Sequence, residues 1–244
     1  MEEIKRSTKA GFSLCVVGCV HGNERIGERV YNEIISYGDQ LPGVTAVLAN
    51  KPAMDLNKRY VDQDLNRSFP GDIAGNEEER LAAQLIKKLD GFDFVLDLHS
   101  TSSELKKTAL IVPSIEGAYK KIIAATTYTE IIEMESGLTG KSLMGNIENA
   151  VSIELNEKYA ETQEAVDEII NIIKVLIGVT PRKDPISRSV YKVAGIIGKD
   201  VVIPINAENF KEIEGLDITP FLLHEREYKD HQGFNVSKVS DIVV

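Results

Sequence analysis

The 244-residue sequence predicts an α/β fold, with helices on both faces of a central sheet, followed by a small β-rich unit. Apolar runs of strand length alternate with amphipathic helical patterns through most of the chain, which is typical of layered α/β structures. The run "FSLCVVGCV" at 12–20 is continuously apolar and suits an interior strand covered on both faces. After "VTPRKDPISRS" the helical periodicity stops. We therefore predict an α/β domain over 1–182 and a β-rich unit over 183–244.

Periodicity and helix-end signals define the elements of the first domain. The helix expected at 76–89 has acidic residues in its first turn and lysines in its last, which suits the helix dipole. The helix expected at 161–178 ends at Gly178, with Pro181 shortly after it. The other expected helices are 24–36 and 116–126, and the expected strands are 12–20, 43–50, 92–100, 108–113, one within 128–135, and 150–156.

The β-rich unit is predicted from four short β-like runs separated by Gly, Pro and Asp. None of them has a helical pattern. The runs are "SVYKVAGIIG" at 189–198, "DVVIP" at 200–204, "ITPFLLHERE" at 218–227 and "FNVSKVSDIVV" at 234–244.

Composition excludes several classes of protein. With 43% apolar and 27% charged residues, the chain is expected to be a soluble globular protein. The net charge of −10 argues against a nucleic-acid partner, which requires a basic face. The sequence has neither an apolar run long enough to cross a membrane nor the apolar region of a signal peptide, so we expect a cytoplasmic protein without a membrane partner. The oligomeric state stays open.

The two cysteines, Cys15 and Cys19, lie in one apolar run. Within a strand they are too far apart for a disulfide, and their spacing without companions is a poor zinc site. We predict that both are buried core thiols.

Side chains that can bind metal or transfer protons lie where the predicted apolar strands end. His21, His99 and Glu154 each lie at or near the end of a predicted strand. Ligand sites of open α/β sheets gather beyond the carboxyl ends of the strands. Three separate strands thus deliver these residues to one edge of the sheet.

His21 and Glu24 form an HxxE pair, and His99 is a candidate third ligand of a metal ion. Catalytic zinc is commonly held by two histidines and one carboxylate, with a position left for water. Asp97 precedes His99 by two residues and so lies on the same face of a strand, where it can orient the imidazole. The alternative is that each histidine only packs at a strand end, although only four histidines occur in the chain.

A group of cations suggests a small anionic ligand. Lys58, Arg59 and Arg67 lie close together in an acidic chain. Arg67 has a planar fork and Asn66 an amide beside it, which together suit a carboxylate. Arg59 is a second cation that can stabilise a developing oxyanion. The alternative is a solvated surface loop.

Glu154 interrupts an apolar strand between Ile153 and Leu155. A buried carboxylate requires a partner or a function, and near a metal-activated water it would act as a general base. An edge-strand carboxylate facing water is the alternative.

Taken in order, the segments "HGNE", Arg59, "DLNRSFPG", "DLHST" and "IELNE" resemble the succinylglutamate desuccinylase/aspartoacylase family, which is itself similar to zinc carboxypeptidases. The resemblance covers essentially the whole chain. It implies a carboxypeptidase-like mixed sheet and a zinc hydrolase that cleaves the linear amide bond of a small anionic N-acyl amino acid.

The resemblance also implies a role for each matching residue. His21, Glu24 and His99 would bind one Zn²⁺ per chain, and Arg59 would polarise the scissile carbonyl. Glu154 would be the base. The residues that resemble the family's substrate-binding groups are Asn66, Arg67 and Tyr228, the last contributed by the C-terminal unit.

The chain departs from the family pattern in one respect. Aspartoacylases carry an arginine shortly before the catalytic glutamate, whereas this chain has none between Arg80 and Arg182. Lys141 or Asn146 would have to take its place, so N-acetylaspartate is in doubt as the substrate. Two further hypotheses stay open, a zinc carboxypeptidase and a catalytically silent metal-dependent binding protein.

Overall fold

The computed structural model describes residues 1–5, 11–106, 108–135, 139–182 and 184–244. Within these ranges one mixed sheet of ten strands has the order β1-β3-β2-β4-β7-β5-β6-β8-β10-β9. The strands are β1 Glu2–Lys5, β2 Leu14–Gly18, β3 Val44–Leu48, β4 Phe94–Thr101, β5 Thr108–Val112, β6 Glu130–Glu133, β7 Ala150–Asn156, β8 Ser187–Gly198, β9 Pro220–Phe221 and β10 His231–Val243.

The helices of the described ranges are α1 Ile26–Tyr37, α2 Lys51–Asp55, α3 Glu77–Leu89, α4 Tyr119–Ala125, α5 Glu157–Ala160 and α6 Gln163–Leu176, with 3-10 turns at Gly38–Gln40 and Leu65–Arg67. The apolar stripes of α1, α4 and α6 pack into one core on one face of the sheet. The stripe of α3 packs into a second core on the opposite face. The predicted α/β class with helices on both faces is therefore confirmed.

The strands that deliver the candidate site lie side by side. β3, β2, β4 and β7 run parallel, so the carboxyl ends of β2, β4 and β7 meet at one edge. β5 pairs antiparallel with β7, which makes the sheet mixed. In the register of β4 and β7, His99 lies directly beside Glu154. The sheet thus brings together two residues that are 55 positions apart in the sequence.

The strands of the C-terminal stretch continue the same sheet. β8 pairs parallel with β6, and β10 pairs antiparallel with β8 along most of its length. The run at 200–204 forms a turn and a bend followed by irregular chain instead of the β structure expected for it, and Val202 there is 85% exposed, without a sheet face to pack against. The domain boundary near 183 stays a prediction.

Three strands and helices were absent from the sequence expectations, namely β1, α2 and α5. β1 pairs antiparallel with β3 at the edge of the sheet. In α2 the Asn50 side chain caps the first turn by accepting a hydrogen bond from the Ala53 amide, at 3.2 Å. All three elements are short, and short elements have the weakest periodic signal. No helix in the described ranges is long and apolar enough to span a membrane.

The structure confirms that Cys15 and Cys19 are buried free thiols. Burial raises the pKa of both, and that of Cys19 reaches about 12. The strand ends before Cys19, which adopts a positive φ of 54°, so the two thiols join different cores.

Native Cys19 is therefore expected to resist thiol reagents. A rise in pKa from 9.0 to about 12 lowers the reactive thiolate fraction roughly 1000-fold near neutral pH, in addition to the steric block. Titration with a disulfide reagent should detect no rapid thiol in the native protein and two after denaturation. A fast native reaction at Cys19 would contradict this burial.

Candidate metal centre and active site

The turn after β2 positions the first two candidate ligands. His21 and Glu24 are joined by a hydrogen bond from the Glu24 amide to the His21 carbonyl, at 3.1 Å. Between them Gly22 donates its amide to the Arg59 carbonyl at 3.0 Å. A Cβ atom on Gly22 would lie 2.3 Å from the backbone of Ala53, so no other residue fits without a shift of α2. Close backbone packing thus explains the glycine of "HGNE".

The Glu24 carboxylate lies between two imidazoles. Its Oε1 is 2.6 Å from Nδ1 of His21, and its Oε2 is 3.0 Å from Nδ1 of His99. One donor atom of each residue lies within 4.8 Å of the others. Only 4% of His21, 6% of Glu24 and 4% of His99 is exposed. The three predicted ligands therefore form one buried cluster that could hold a metal ion.

Each imidazole is oriented by a second carboxylate, which contacts its Nε2 atom. The Nε2 atom of His21 lies 3.0 Å from Oδ1 of Asp64, and that of His99 lies 2.8 Å from Oδ2 of Asp97. Such contacts fix the tautomer and direct Nδ1 toward a metal. The contact expected for Asp97 is present, whereas Asp64 was missed. Two imidazole nitrogens and a carboxylate, backed in this way, are a donor set that fits Zn²⁺.

Within the cluster, carboxylates and imidazoles shift one another's pKa toward the charged forms. Burial lowers the pKa of His99, but the carboxylates of Asp97 and Glu24 outweigh burial and raise it well above its ordinary value. Burial raises the pKa of Glu24, but the imidazoles of His21 and His99 outweigh burial and leave it lowered. Asp64 is shifted down in the same way, against burial, by His21 and by nearby guanidinium groups. Glu24 and Asp64 are thus held as carboxylates beside the imidazoles.

Arg59 belongs to this cluster. Its guanidinium donates to Oε1 of Glu24 at 3.2 Å, and to Oδ2 of Asp64 at 3.2 Å from Nε and 3.1 Å from Nη2. Its side chain is 17% exposed. A cation therefore lies next to the candidate metal ligands, on the side open to solvent.

Asn66 and Arg67 occupy the 3-10 turn that follows Asp64. The Asn66 amide donates to Oδ1 of Asp64 at 2.8 Å, and its side-chain oxygen accepts from the Leu143 amide at 2.9 Å. The NH₂ group of Asn66 is thereby the end of its side chain suited to a ligand. Arg67 is exposed and donates to the Asn66 carbonyl at 2.8 Å. Lys58 is exposed.

Glu154 lies beside His99 in the sheet and is partly buried. Side chains of register partners in neighbouring strands point to the same face, so the carboxyl group and the imidazole share one face. Burial raises the pKa of Glu154 and outweighs the opposing charge of His99, and with the carboxylates of Glu24 and Glu225 that pKa reaches about 8. A bound cation would lower that pKa, because a nearby positive charge favours the ionised form.

Tyr228 is carried toward the same edge by the segment between β9 and β10. Its ring stacks on His231, with centroids 4.2 Å apart. Burial raises the pKa of its hydroxyl, and the nearby charge of Glu154 raises it further while Arg67 lowers it. The charges of the candidate site thus act directly on the Tyr228 hydroxyl.

Glu225 links this segment to β4 through hydrogen bonds. No sequence pattern predicted this role of Glu225. Its carboxylate accepts hydrogen bonds from the Thr101 hydroxyl and, at 2.8 Å, from the Ser102 amide. Thr101 is the last residue of β4, the strand that holds His99, and Ser102 directly follows it. The nearby Glu227 carboxylate lies 3.9 Å from Nε of Arg59.

Two residues, Lys141 and Asn146, were considered as replacements for the arginine that this chain lacks, and they lie in different places. Asn146 donates its amide to the carbonyls of Gly140 and Ser142, at 3.0 and 2.8 Å, and lies near the start of β7, away from the strand's carboxyl end. It therefore does not reach Glu154. Lys141 is exposed, and its carbonyl accepts from the Phe69 amide, at 3.1 Å, close to the Asn66 turn.

Comparisons with known proteins agree with this geometry. The model of the succinylglutamate desuccinylase/aspartoacylase catalytic domain matches residues 10–169. A probable aspartoacylase of Trichodesmium erythraeum is 33% identical over 113 residues, which is 41% of this chain and 39% of that protein. An N-acyl-aromatic-L-amino acid amidohydrolase (carboxylate-forming) of Rattus norvegicus is 36% identical over 118 residues, or 40% of this chain and 36% of that protein. The chain thus spans about two fifths of the length of the curated relatives it matches.

Solved structures share the fold over almost the whole chain. Murine aminoacylase 3 has a TM-score of 0.76 at 18% identity, covering 98% of both chains. The succinylglutamate desuccinylase of Chromobacterium violaceum has a TM-score of 0.73 at 17% identity, covering 96% of this chain and 86% of that one. The likeness therefore includes the C-terminal strands that lie beyond the matched catalytic-domain region.

Proposed function

We propose that this chain, which belongs to the succinylglutamate desuccinylase/aspartoacylase family, is a zinc-dependent amidohydrolase that cleaves the amide bond of an N-acyl amino acid. One observation carries the proposal. The buried cluster of His21, Glu24 and His99 lies at the same sheet edge as Glu154, a carboxyl group that forms no salt bridge with the cations of the described ranges. A site that only binds a ligand has no need of a base beside the metal.

His21, Glu24 and His99 would hold the zinc ion, one per chain. Zinc bound there would supply a Lewis acid for the amide carbonyl and would acidify a water molecule. Asp64 and Asp97 keep the two imidazoles in the orientation that directs Nδ1 toward the ion.

Glu154 would move the proton. Its carboxylate accepts a proton from the attacking water as the new C–O bond forms, and it then gives that proton to the amine nitrogen as the C–N bond breaks. The products are a carboxylate and a free amino acid. Burial raises the pKa of Glu154 and a bound cation would lower it, and these opposing effects suit a carboxyl group that both accepts and gives a proton.

Arg59 would stabilise the oxygen on which negative charge develops. Its guanidinium is fixed by Glu24 and Asp64, so it is already in place before the charge appears. Such preorganised donors lower a barrier more than mobile ones do.

Asn66, Arg67 and Tyr228 would bind the carboxylate end of a small anionic substrate. Arg67 supplies charge and a planar fork, and Asn66 supplies an NH₂ donor. Lys141 lies near the Asn66 turn and is the remaining candidate for reading a second acidic group. Cytoplasmic location stays a prediction, and the structure supplies no membrane-spanning helix in its described ranges.

Arg67→Lys is expected to weaken binding of carboxylate-bearing substrates by roughly 1.5 to 3 kcal/mol, because it keeps the charge but loses the fork. The Michaelis constant should rise while turnover changes little. Steady-state kinetics on the best substrate would measure both. An unchanged Michaelis constant would place Arg67 outside the pocket, and Lys58→Arg is the matched control on the same loop.

A hydrolysis panel tests the proposed function. The zinc-loaded protein is offered acetyl-, formyl- and succinyl-amino acids together with peptides, and the released amines are identified. We expect cleavage of at least one class of acyl amino acid. Cleavage of peptides alone would favour a carboxypeptidase, and inactivity on all of them with zinc retained would favour a binding protein.

A further inference from the structure

A buried carboxylate lies behind the candidate site and belongs to none of the roles above. Glu78 is in the first turn of α3 and is fully buried, with 0% exposure. Its Oε1 accepts hydrogen bonds from the Val61 amide at 2.7 Å and the Asn50 side chain at 3.0 Å. Its Oε2 accepts from the amides of Asp62 at 2.9 Å and Gln63 at 3.2 Å. Four donors therefore converge on one carboxylate.

The bound backbone is the segment that joins two residues of the site. Val61, Asp62 and Gln63 connect Arg59 to Asp64, the cation and the carboxylate that contact Glu24 and His21. Three consecutive amides turned toward one side chain fix the course of this short loop. The position of the loop, in turn, determines the positions of Arg59, which precedes it, and of Asp64, which leads into the 3-10 turn.

Helix capping does not explain Glu78. The capping box of α3 is made by Asn76 and Glu79, whose side chains exchange hydrogen bonds with backbone amides at 3.0 and 2.9 Å. Glu78 points instead at the loop. Since all four of its partners are donors, an acceptor-only group is required, and a glutamine at this position would turn an NH₂ group toward N–H groups.

We propose that Glu78 is a positioning residue that holds the 61–63 loop so that Arg59 and Asp64 stand correctly beside His21 and Glu24. The inference rests on the proposed function for its effect on turnover, but its structural part does not. Through Glu78, the first turn of α3 thus contributes to the arrangement of the site residues at the edge of the sheet.

Glu78→Gln is the main test, with Asn76→Ala as the matched control. The control removes the hydrogen bond from the Glu79 amide to the Asn76 side chain, which lowers stability, and it keeps the Glu78 carboxylate. In Glu78→Gln, hydrogen exchange at the amides of 61–63 should quicken by at least about 10-fold while amides later in α3 stay protected. Zinc affinity, measured by competition with a chelator, should fall roughly 10-fold, because Asp64 no longer orients His21 well. Both measurements are independent of activity.

Kinetics then separate positioning from mere stability. At saturating zinc, Glu78→Gln should lower kcat roughly 10-fold to 100-fold with a smaller change in KM, because the Asn66 side chain is also held by the Leu143 amide. Asn76→Ala should lose stability but keep kcat. In an Arg59→Gln background at saturating zinc, Glu78→Gln should cost less than about 3-fold in kcat, since Arg59, the positioned group that acts on turnover, is gone.

Unchanged exchange at 61–63, or equal kcat losses in Glu78→Gln and Asn76→Ala, would overturn the proposal. If Glu78→Gln does not fold, Glu78→Asp keeps the charge and shortens the reach, and the same exchange and zinc measurements apply. A parent protein that hydrolyses nothing would count against the proposed function, while loop exchange and zinc affinity would still decide the role of Glu78.

Discussion

Glu154→Gln is expected to lower turnover by roughly 10²-fold to 10⁴-fold, the usual contribution of general acid–base catalysis. The amide keeps the shape of the side chain but cannot accept the proton of the attacking water. Zinc content, folding and substrate affinity should survive, because Glu154 is not among the three clustered ligands. Single-turnover kinetics together with a binding measurement on the variant would separate these quantities.

Glu157→Gln is the matched control for this change. Glu157 lies three residues later, at the start of α5, and pairs with Arg226 on the surface. It should keep parental turnover. Hydrolysis by Glu154→Gln at the parental rate would remove Glu154 from the mechanism, and loss of folding would indicate a structural carboxylate.

His99→Ala is expected to lose nearly all bound zinc after dialysis. A site with three protein ligands has no spare donor, and removal of His99 also leaves Asp97 buried without the imidazole it contacts. Stoichiometric metal analysis of the dialysed variant measures this directly. Activity should fall with the metal and should recover only in large zinc excess, if at all.

His224→Asn is the control for His99→Ala. His224 is exposed and adopts a positive φ of 60°, a conformation that asparagine tolerates well. This variant should keep one zinc per chain. Full zinc retention by His99→Ala would show that the zinc is bound elsewhere.

The sequence predicted those parts of the fold and site that depend on local pattern. The run that becomes β2 continues through Val20, one residue before His21, and the run that becomes β4 is apolar apart from Asp97 and reaches Leu98, one residue before His99. Because parallel strands end at one edge, His21 and His99 had to meet once the strands were correctly assigned. Asp97 followed from the two-residue repeat of a strand.

What escaped prediction depends on contacts between distant segments. Glu225 reaches Thr101 across 124 residues, and Glu78 reaches the 61–63 loop through a reversal of the chain. Neither contact has a periodic signature, since each is made by a single side chain to a segment outside its own element. The 200–204 run also has the composition of a strand, but composition does not show whether a partner strand is available.

Zinc dependence of hydrolysis by one protein preparation tests the central claim most directly. Metal is removed with a chelator, zinc is added back in steps, and the rate of release of the amino acid is followed on the best N-acyl substrate of the panel. We predict no measurable turnover without metal and a rise that saturates at one zinc per chain, with Glu154→Gln binding the same zinc but staying nearly inactive. Full turnover by the metal-free protein, or saturation with zinc and no hydrolysis of any acyl amino acid, would contradict a zinc amidohydrolase built on His21, Glu24 and His99.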